Sequence, residues 1–126
     1  MKKIQVFISF CLITLLFSCG KGPIILPDTF DPSLVGTWVK TYSTIDNGSM
    51  ITIWYDTLEF RGDQTGRKAL YRFDMPETVF QFRFYTEDGR LYDIPDNHDE
   101  FRYMEYRIET DSLYLNGSTH PYFRLP

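Results

Sequence analysis

The chain has 126 residues, enough for one small domain, with a formal net charge of −4 and an aromatic content of 17%. Its 13 basic residues are scattered and form no patch, which argues against nucleic acid as a partner. The two cysteines, Cys11 and Cys19, both lie near the start, so the remainder has neither a disulfide nor a free thiol.

Lys2 and Lys3 give a short positive start, and the stretch from Ile4 to Phe17 is uncharged and mostly apolar. About fourteen residues of helix span ~21 Å, short of the ~30 Å hydrocarbon core. The segment therefore reads as the apolar part of an export signal, not as a permanent membrane span. Leu16-Phe17-Ser18-Cys19 resembles a bacterial lipobox, with leucine three residues before the cysteine and a small serine just before the cut. Phe17 is larger than the residue usual at its position. The resemblance implies a signal peptide over 1–18, cleavage before Cys19, and lipidation of Cys19 by diacylglycerol and an acyl chain such as palmitate. Each buried CH₂ contributes about 0.8 kcal/mol, and about two chains suffice for stable anchoring.

Gly20 is not the aspartate that retains some lipoproteins at the inner membrane, and Gly20-Lys21-Gly22 carries no acidic export tag. The expected location is the outer membrane, on its periplasmic face. Cleavage removes two of the 13 basic residues, Lys2 and Lys3, which takes the formal charge to −6.

Residues 19–33 hold the lipidated cysteine and Pro23, Pro27 and Pro32, without sustained periodicity. They read as an extended tether with a reach of about 45–50 Å. A β domain is expected over 34–126.

From Leu34 onward the period is two. In Leu34–Thr44, Trp38 and Tyr42 share one face, and Val35, Thr37, Val39 and Thr41 the other. Asp46-Asn47-Gly48 is a hairpin turn signal. Met50–Tyr55 is rich in β-branched and aromatic residues, and Asp56–Arg61 sets Leu58 and Phe60 on one face. After the turn at Gly62–Gly66 comes Arg67–Phe73, with Asp74-Met75-Pro76-Glu77 as a break. Phe80, Phe82 and Phe84 alternate with Gln81 and Arg83. Glu87-Asp88-Gly89 turns into Arg90–Ile94, and Pro95 to Glu100 is a polar, acidic loop. Phe101–Glu109 places Met104, Tyr106 and Ile108 together, and Ser112–Asn116 and Tyr122–Leu125 close the chain. The expectation is an all-β fold, a small antiparallel meander of eight or nine strands. Closure into a barrel disposes of the sheet edges best, and a two-sheet β-sandwich is the alternative.

Three motifs resemble the lipocalin-like domains of small Bacteroidota lipoproteins. They are Leu34-Val35-Gly36-Thr37-Trp38, then Thr57-Leu58-Glu59-Phe60 before the glycine-rich turn, and Tyr106-Arg107-Ile108 through Asp111-Ser112-Leu113-Tyr114-Leu115. The resemblance covers about residues 33–125 and implies a lipocalin-like barrel. It also implies that Trp38 packs across the closed end against a late-strand base, Arg124 or Arg107. The family is itself mostly of unknown function.

Trp38, Tyr42, Trp54, Phe60, Phe80, Phe82, Phe84 and Tyr106, with Tyr71 and Phe73, are the inward or half-inward rings. They are candidates for the core or for the lining of a pocket, since an eight-stranded barrel holds side chains or one small ligand. Asp96-Asn97-His98-Asp99-Glu100 lacks the spacing of a helix–loop–helix calcium site and reads as a solvated loop. His98 and His120 have no H-x-x-x-H partner, so no metal is expected. No serine lies in G-x-S-x-G, and Glu59, Glu77, Glu105 and Glu109 have no sequence-evident pairing. Tyr114, Tyr122 and Phe123 are candidates for a contact surface. The reading is a non-enzymatic, lipid-anchored envelope protein without a cofactor, working as an accessory or protein-interaction module. Its alternative is a binder or sensor of a small apolar or amphipathic ligand in the barrel.

Overall fold

The computed structural model describes residues 24–72 and 75–126, with the side chains of 52 and 53 left aside. Cys19, the signal segment and Phe73 lie outside the described residues. A short 3-10 turn, Pro32–Leu34, leads into eight strands. These are β1 (Gly36–Asp46), β2 (Ser49–Phe60), β3 (Thr65–Arg72), β4 (Met75–Glu87), β5 (Arg90–Pro95), β6 (Arg102–Glu109), β7 (Ser112–Leu115) and β8 (Tyr122–Arg124).

Each strand pairs antiparallel with the next, and β8 returns to β1 through Trp38↔Arg124 and Val39↔Phe123. Among the described residues the sheet is thus a closed barrel of eight strands, as the meander of eight or nine strands predicts, and not a sandwich. Asn47-Gly48 and Asp88-Gly89 make the tight hairpins, all four residues at positive φ, the backbone that twisted two-residue turns require. The segments Met50–Tyr55 and Asp56–Arg61 join into the single strand β2.

The expected break at 74–77 is shorter than the sequence suggests, because β4 already begins at Met75. Pro76 is tolerated there for a geometric reason. Register runs from Arg72↔Met75 to Leu70↔Thr78 with an irregularity between them, so Pro76 owes the ladder no N–H. Its other side is free, since β5 pairs with β4 from Phe82 onward.

Alternation sorts the strands into an inner and an outer face. Trp38, Leu58, Phe60, Phe82, Phe84, Leu91, Leu113 and Tyr122 form one buried cluster with Leu34. Gly66 faces Phe82 in register, and a Cβ on it would stand 2.2 Å from the Phe82 ring, so only glycine lets that ring fill the interior. The starts of β1 and β3 lie beside the end of β2 and the later part of β4 and close one end. At the other end β1–β4 outrun their neighbours and project as a curved, four-stranded sheet.

Residues 24–33, expected as free tether, lie against the barrel. The Pro27 carbonyl accepts from Gln64 Nε2 at 2.8 Å, and the Thr29 carbonyl accepts from Thr86 N–H at 3.0 Å. Phe30 sets its ring edge-on to Phe84 at 6.0 Å. Asp31 caps the 3-10 turn by accepting from Ser33 N–H at 2.9 Å, while its Oδ2 accepts from Tyr106 hydroxyl at 2.9 Å. The packed unit therefore extends N-terminally of Leu34.

Candidate functional site in the barrel mouth

The two ends of the barrel differ in what fills them. At the closed end Trp38 is fully buried, and its indole N–H donates to the Leu34 carbonyl at 2.8 Å. Arg124 lies over the indole at 4.1 Å, donates to the Val35 carbonyl at 2.8 Å and also donates to the Ser33 carbonyl. Of the two arginines weighed as the partner of Trp38, Arg124 occupies that place; Arg107 instead lies over Tyr114 at 4.4 Å. Trp38 and Phe84 leave no room for a ligand here, and both act as core.

The open end holds a cavity of about 580 Å³. Its wall is mostly apolar, with Leu58, Phe60, Leu70, Phe80, Phe82, Leu91, Met104 and Leu115. Polar side chains interrupt it, among them Lys68, Asp93, His98 and Arg102. A smaller recess of about 450 Å³ adjoins it, bordered by Trp54, Leu70, Tyr71 and Met75. The volume lies within the range of small-molecule sites, roughly 300–1,000 Å³.

Two buried carboxylates sit at this end. Asp56 is 4% exposed; its Oδ2 accepts from the Tyr122 hydroxyl and stands 3.3 Å from Lys68 Nζ. Asp93 is 5% exposed and its Oδ2 accepts from Arg102 at 2.5 Å. The other oxygen of each, Oδ1, is buried without a hydrogen-bond partner. Burial, and then the bond to Asp56, pushes the Tyr122 phenol well above its ordinary range. Charges inside a small barrel oppose stability unless paired, and apolar residues would fill the same volume at lower cost. Asp93 lines the cavity wall, and Asp56 is joined to that wall through Lys68.

Phe60, Phe80 and Phe82 line the cavity, as the alternation of β2 and β4 places them. Phe80 is 49% exposed because it lies where β4 has outrun β5. Tyr42 and Trp54 stack at 4.0 Å above the mouth, with Lys40 Nζ 5.2 Å from the Tyr42 ring. Tyr106 is not part of the lining; it holds Asp31, and burial followed by that bond pushes its phenol up to about 12. Tyr71, expected inward, is on the outer face and stacks on Tyr55 at 5.6 Å. The reason is parity: Leu70 and Arg72 take the inner positions of β3, and Tyr71 falls between them.

Asp56, Lys68, Asp93 and Arg102 are not among the candidates that the sequence offers, and Tyr122, expected on a contact surface, is instead 7% exposed in the core cluster because it points inward from β8. A signal for two of them existed, since Asp56 is in phase with Leu58 and Phe60, and Asp93 is in phase with Leu91. His98 reaches the cavity wall from the acidic loop, and among the described residues no group of three or more His, Cys, Asp or Glu could hold a metal ion.

No protein-family model matches this chain, and no curated protein matches it. Two solved structures are similar to it. One is the crystal structure of a lipoprotein, YedD, from Klebsiella pneumoniae, with a TM-score of 0.56 and 10% identity over 80% of this chain and 79% of that one. The other is the NMR structure of a protein from Bacteroides thetaiotaomicron, with a TM-score of 0.56 and 21% identity over 82% of this chain and 100% of that one. At these identities the likeness is one of fold.

Proposed function

We propose that this chain is a lipid-anchored protein of the cell envelope whose barrel binds a small amphipathic molecule in its open end. The observation that carries the binding reading is the cavity of about 580 Å³ with an apolar wall and a few charged groups near the mouth. A core meant only for stability would be filled, because voids forfeit contacts and destabilise. Within this reading Phe60, Phe80, Phe82, Leu115 and Met104 hold the apolar part of the ligand, and Lys68, Arg102 and Asp93 meet its polar part. The protein's role is to bind and present, without catalysis. The lipobox-like Leu16-Phe17-Ser18-Cys19 supports the anchor, and the YedD lipoprotein is similar in fold. The outer membrane, periplasmic face, is the proposed location.

Native mass spectrometry of the full chain, released gently from membranes, tests both halves. The expected spectrum has a diacylglycerol-modified and acylated mass, lost in Cys19→Ala, and a further increment from one small bound molecule. A bare lipidated mass in every preparation contradicts the ligand reading, and an unmodified cysteine contradicts the anchor.

A second reading, protein interaction at the envelope, draws on the projecting hairpins. Ile45 and Met50 are 72% and 78% exposed at the tip of β1–β2, and Met75 is 54% exposed at that of β3–β4. Cross-linking in cells that recovers no envelope protein through these tips would end it.

A further inference from the structure

The outer face of β4–β6 carries a row of rings that the barrel does not need. Tyr85, Tyr92 and Tyr103 stand opposite one another in the register of the three strands. Tyr85 and Tyr92 stack at 4.6 Å with their planes 2° apart, and Tyr103 follows at 6.0 Å. Phe101, just before β6, sets its edge on Tyr85 at 5.4 Å. Alternation puts all three tyrosines opposite Phe84, Leu91 and Met104, so they take no part in the core. Tyr103 is 65% exposed.

The N-terminal chain leaves the barrel from this same face. Arg83 shares it with Tyr85, two residues on, and donates from Nη1 to the Ile24 carbonyl at 3.3 Å. Ile25, beside that contact, is 87% exposed. Residues 20–23 separate Ile24 from Cys19, so a lipid on Cys19 lies within about 17 Å of Ile24 even at full extension.

We propose that Tyr85, Tyr92, Tyr103 and Phe101, with Ile25, form the face that the barrel lays on the lipid headgroups of the membrane holding Cys19. The inference rests on the anchor reading above and adds an orientation to it. Tyrosine rings suit the headgroup zone because one end is apolar and the other wet. The next register row, Glu87↔Arg90↔Glu105, alternates in sign, and Arg90 lies 5.5 Å over the Tyr103 ring. The face is therefore no basic patch, and its contact relies on rings and not on anionic lipid. Tyr103 also borders the cavity, so seating this face brings the mouth beside the bilayer, a source of amphipathic molecules.

The test uses the full lipidated chain. With Cys11 removed and Cys19 acylated, an introduced cysteine is the single free thiol. Tyr103→Cys, Ile25→Cys and, on the opposite wall of the barrel, Thr41→Cys are labelled with a nitrobenzoxadiazole fluorophore. Each is reconstituted into phosphatidylcholine vesicles containing a nitroxide-labelled phospholipid. Labels at 103 and 25 are expected to be quenched several-fold more than the label at 41, at low and high salt alike. Equal quenching at all three positions, in protein that still floats with the vesicles, overturns the proposal and leaves the rings to a protein partner. Protein that does not float at all overturns the anchor reading, and this proposal with it.

Discussion

Arg124 sits 4.1 Å over the ring of Trp38 while its guanidinium donates to the carbonyls of Val35 and Ser33. One side chain from the last strand thereby ties together the first strand, the turn before it and the floor of the barrel. Closure between β8 and β1 involves two register pairs, one of them Trp38↔Arg124 itself. A cation over an indole contributes ~0.5–2 kcal/mol, and each hydrogen bond from a charged donor about 1.5–3 kcal/mol. Arg124→Ala is expected to cost about 3 kcal/mol, a fall in Tm of at least ~10 °C in a domain of this size. Arg124→Lys should recover a minor part, because an ammonium cannot span both carbonyls while lying flat on the ring. Thermal melts of the three proteins check this.

Gly66→Ala should lower stability by about 2 kcal/mol or more, since the new Cβ would meet the Phe82 ring at 2.2 Å and the Glu59 carbonyl at 2.9 Å. Phe82→Leu alone loses packing, yet combined with Gly66→Ala it should relieve part of the clash. Denaturant unfolding of both single variants and the double variant should show this as clear non-additivity.

The interior tyrosines set an alkaline limit. Burial and bonds to carboxylates raise the phenols of Tyr122 and Tyr106, the latter to about 12. An unfolded chain releases these protons near pH ~10, while the fold retains them. Above pH ~10 the native state binds more protons than the unfolded one, so stability is full below that pH and falls as pH rises. Melting temperature against pH should therefore turn down above ~10. Tyr106→Phe and Tyr122→Phe should each flatten that decline, and an unchanged slope in both would contradict the assignment.

At the acid side Asp31 has the opposite sign. Burial disfavours its charge, but hydrogen bonds from Ser33 and Tyr106 outweigh this and hold its carboxyl below the ordinary value. Its contribution is present above pH ~4 and lost as pH falls through the folded pKa. Asp31→Ala should release residues 24–31 from the barrel without unfolding the strands. Faster amide exchange confined to that segment and to Thr86, whose N–H it covers, is the expected result.

The fold was legible because period-two alternation is a direct record of which face is buried. The pattern of Phe80, Phe82 and Phe84 located β4 and its inner face, and Asn47-Gly48 and Asp88-Gly89 located the hairpins. What alternation could not convey is depth along the barrel axis. Phe84 and Phe80 share a face, yet one is fully buried and the other half exposed, because strand lengths differ around the barrel. The cavity was illegible for the same reason. Of its charged members, Asp93 and Arg102 are a register pair of β5 and β6, and Lys68 reaches Asp56 on the neighbouring strand β2, contacts set by strand register and not by alternation. The docking of residues 24–33 was hidden too, since its bonds are mostly to backbone carbonyls that carry no sequence signature.

The central claim is that the open end of the barrel holds a ligand. Fluorescence titration of the protein with 1-anilinonaphthalene-8-sulfonate, an amphipathic probe, tests it most directly. Leu115→Trp and Met104→Trp, each placing a large side chain in the cavity from its wall, serve as filled variants. The account predicts one saturable site per chain, with affinity at least ~10-fold weaker, about 1.4 kcal/mol, in both filled variants. Equal binding by the wild-type and filled proteins, or no binding by the wild type, would contradict it.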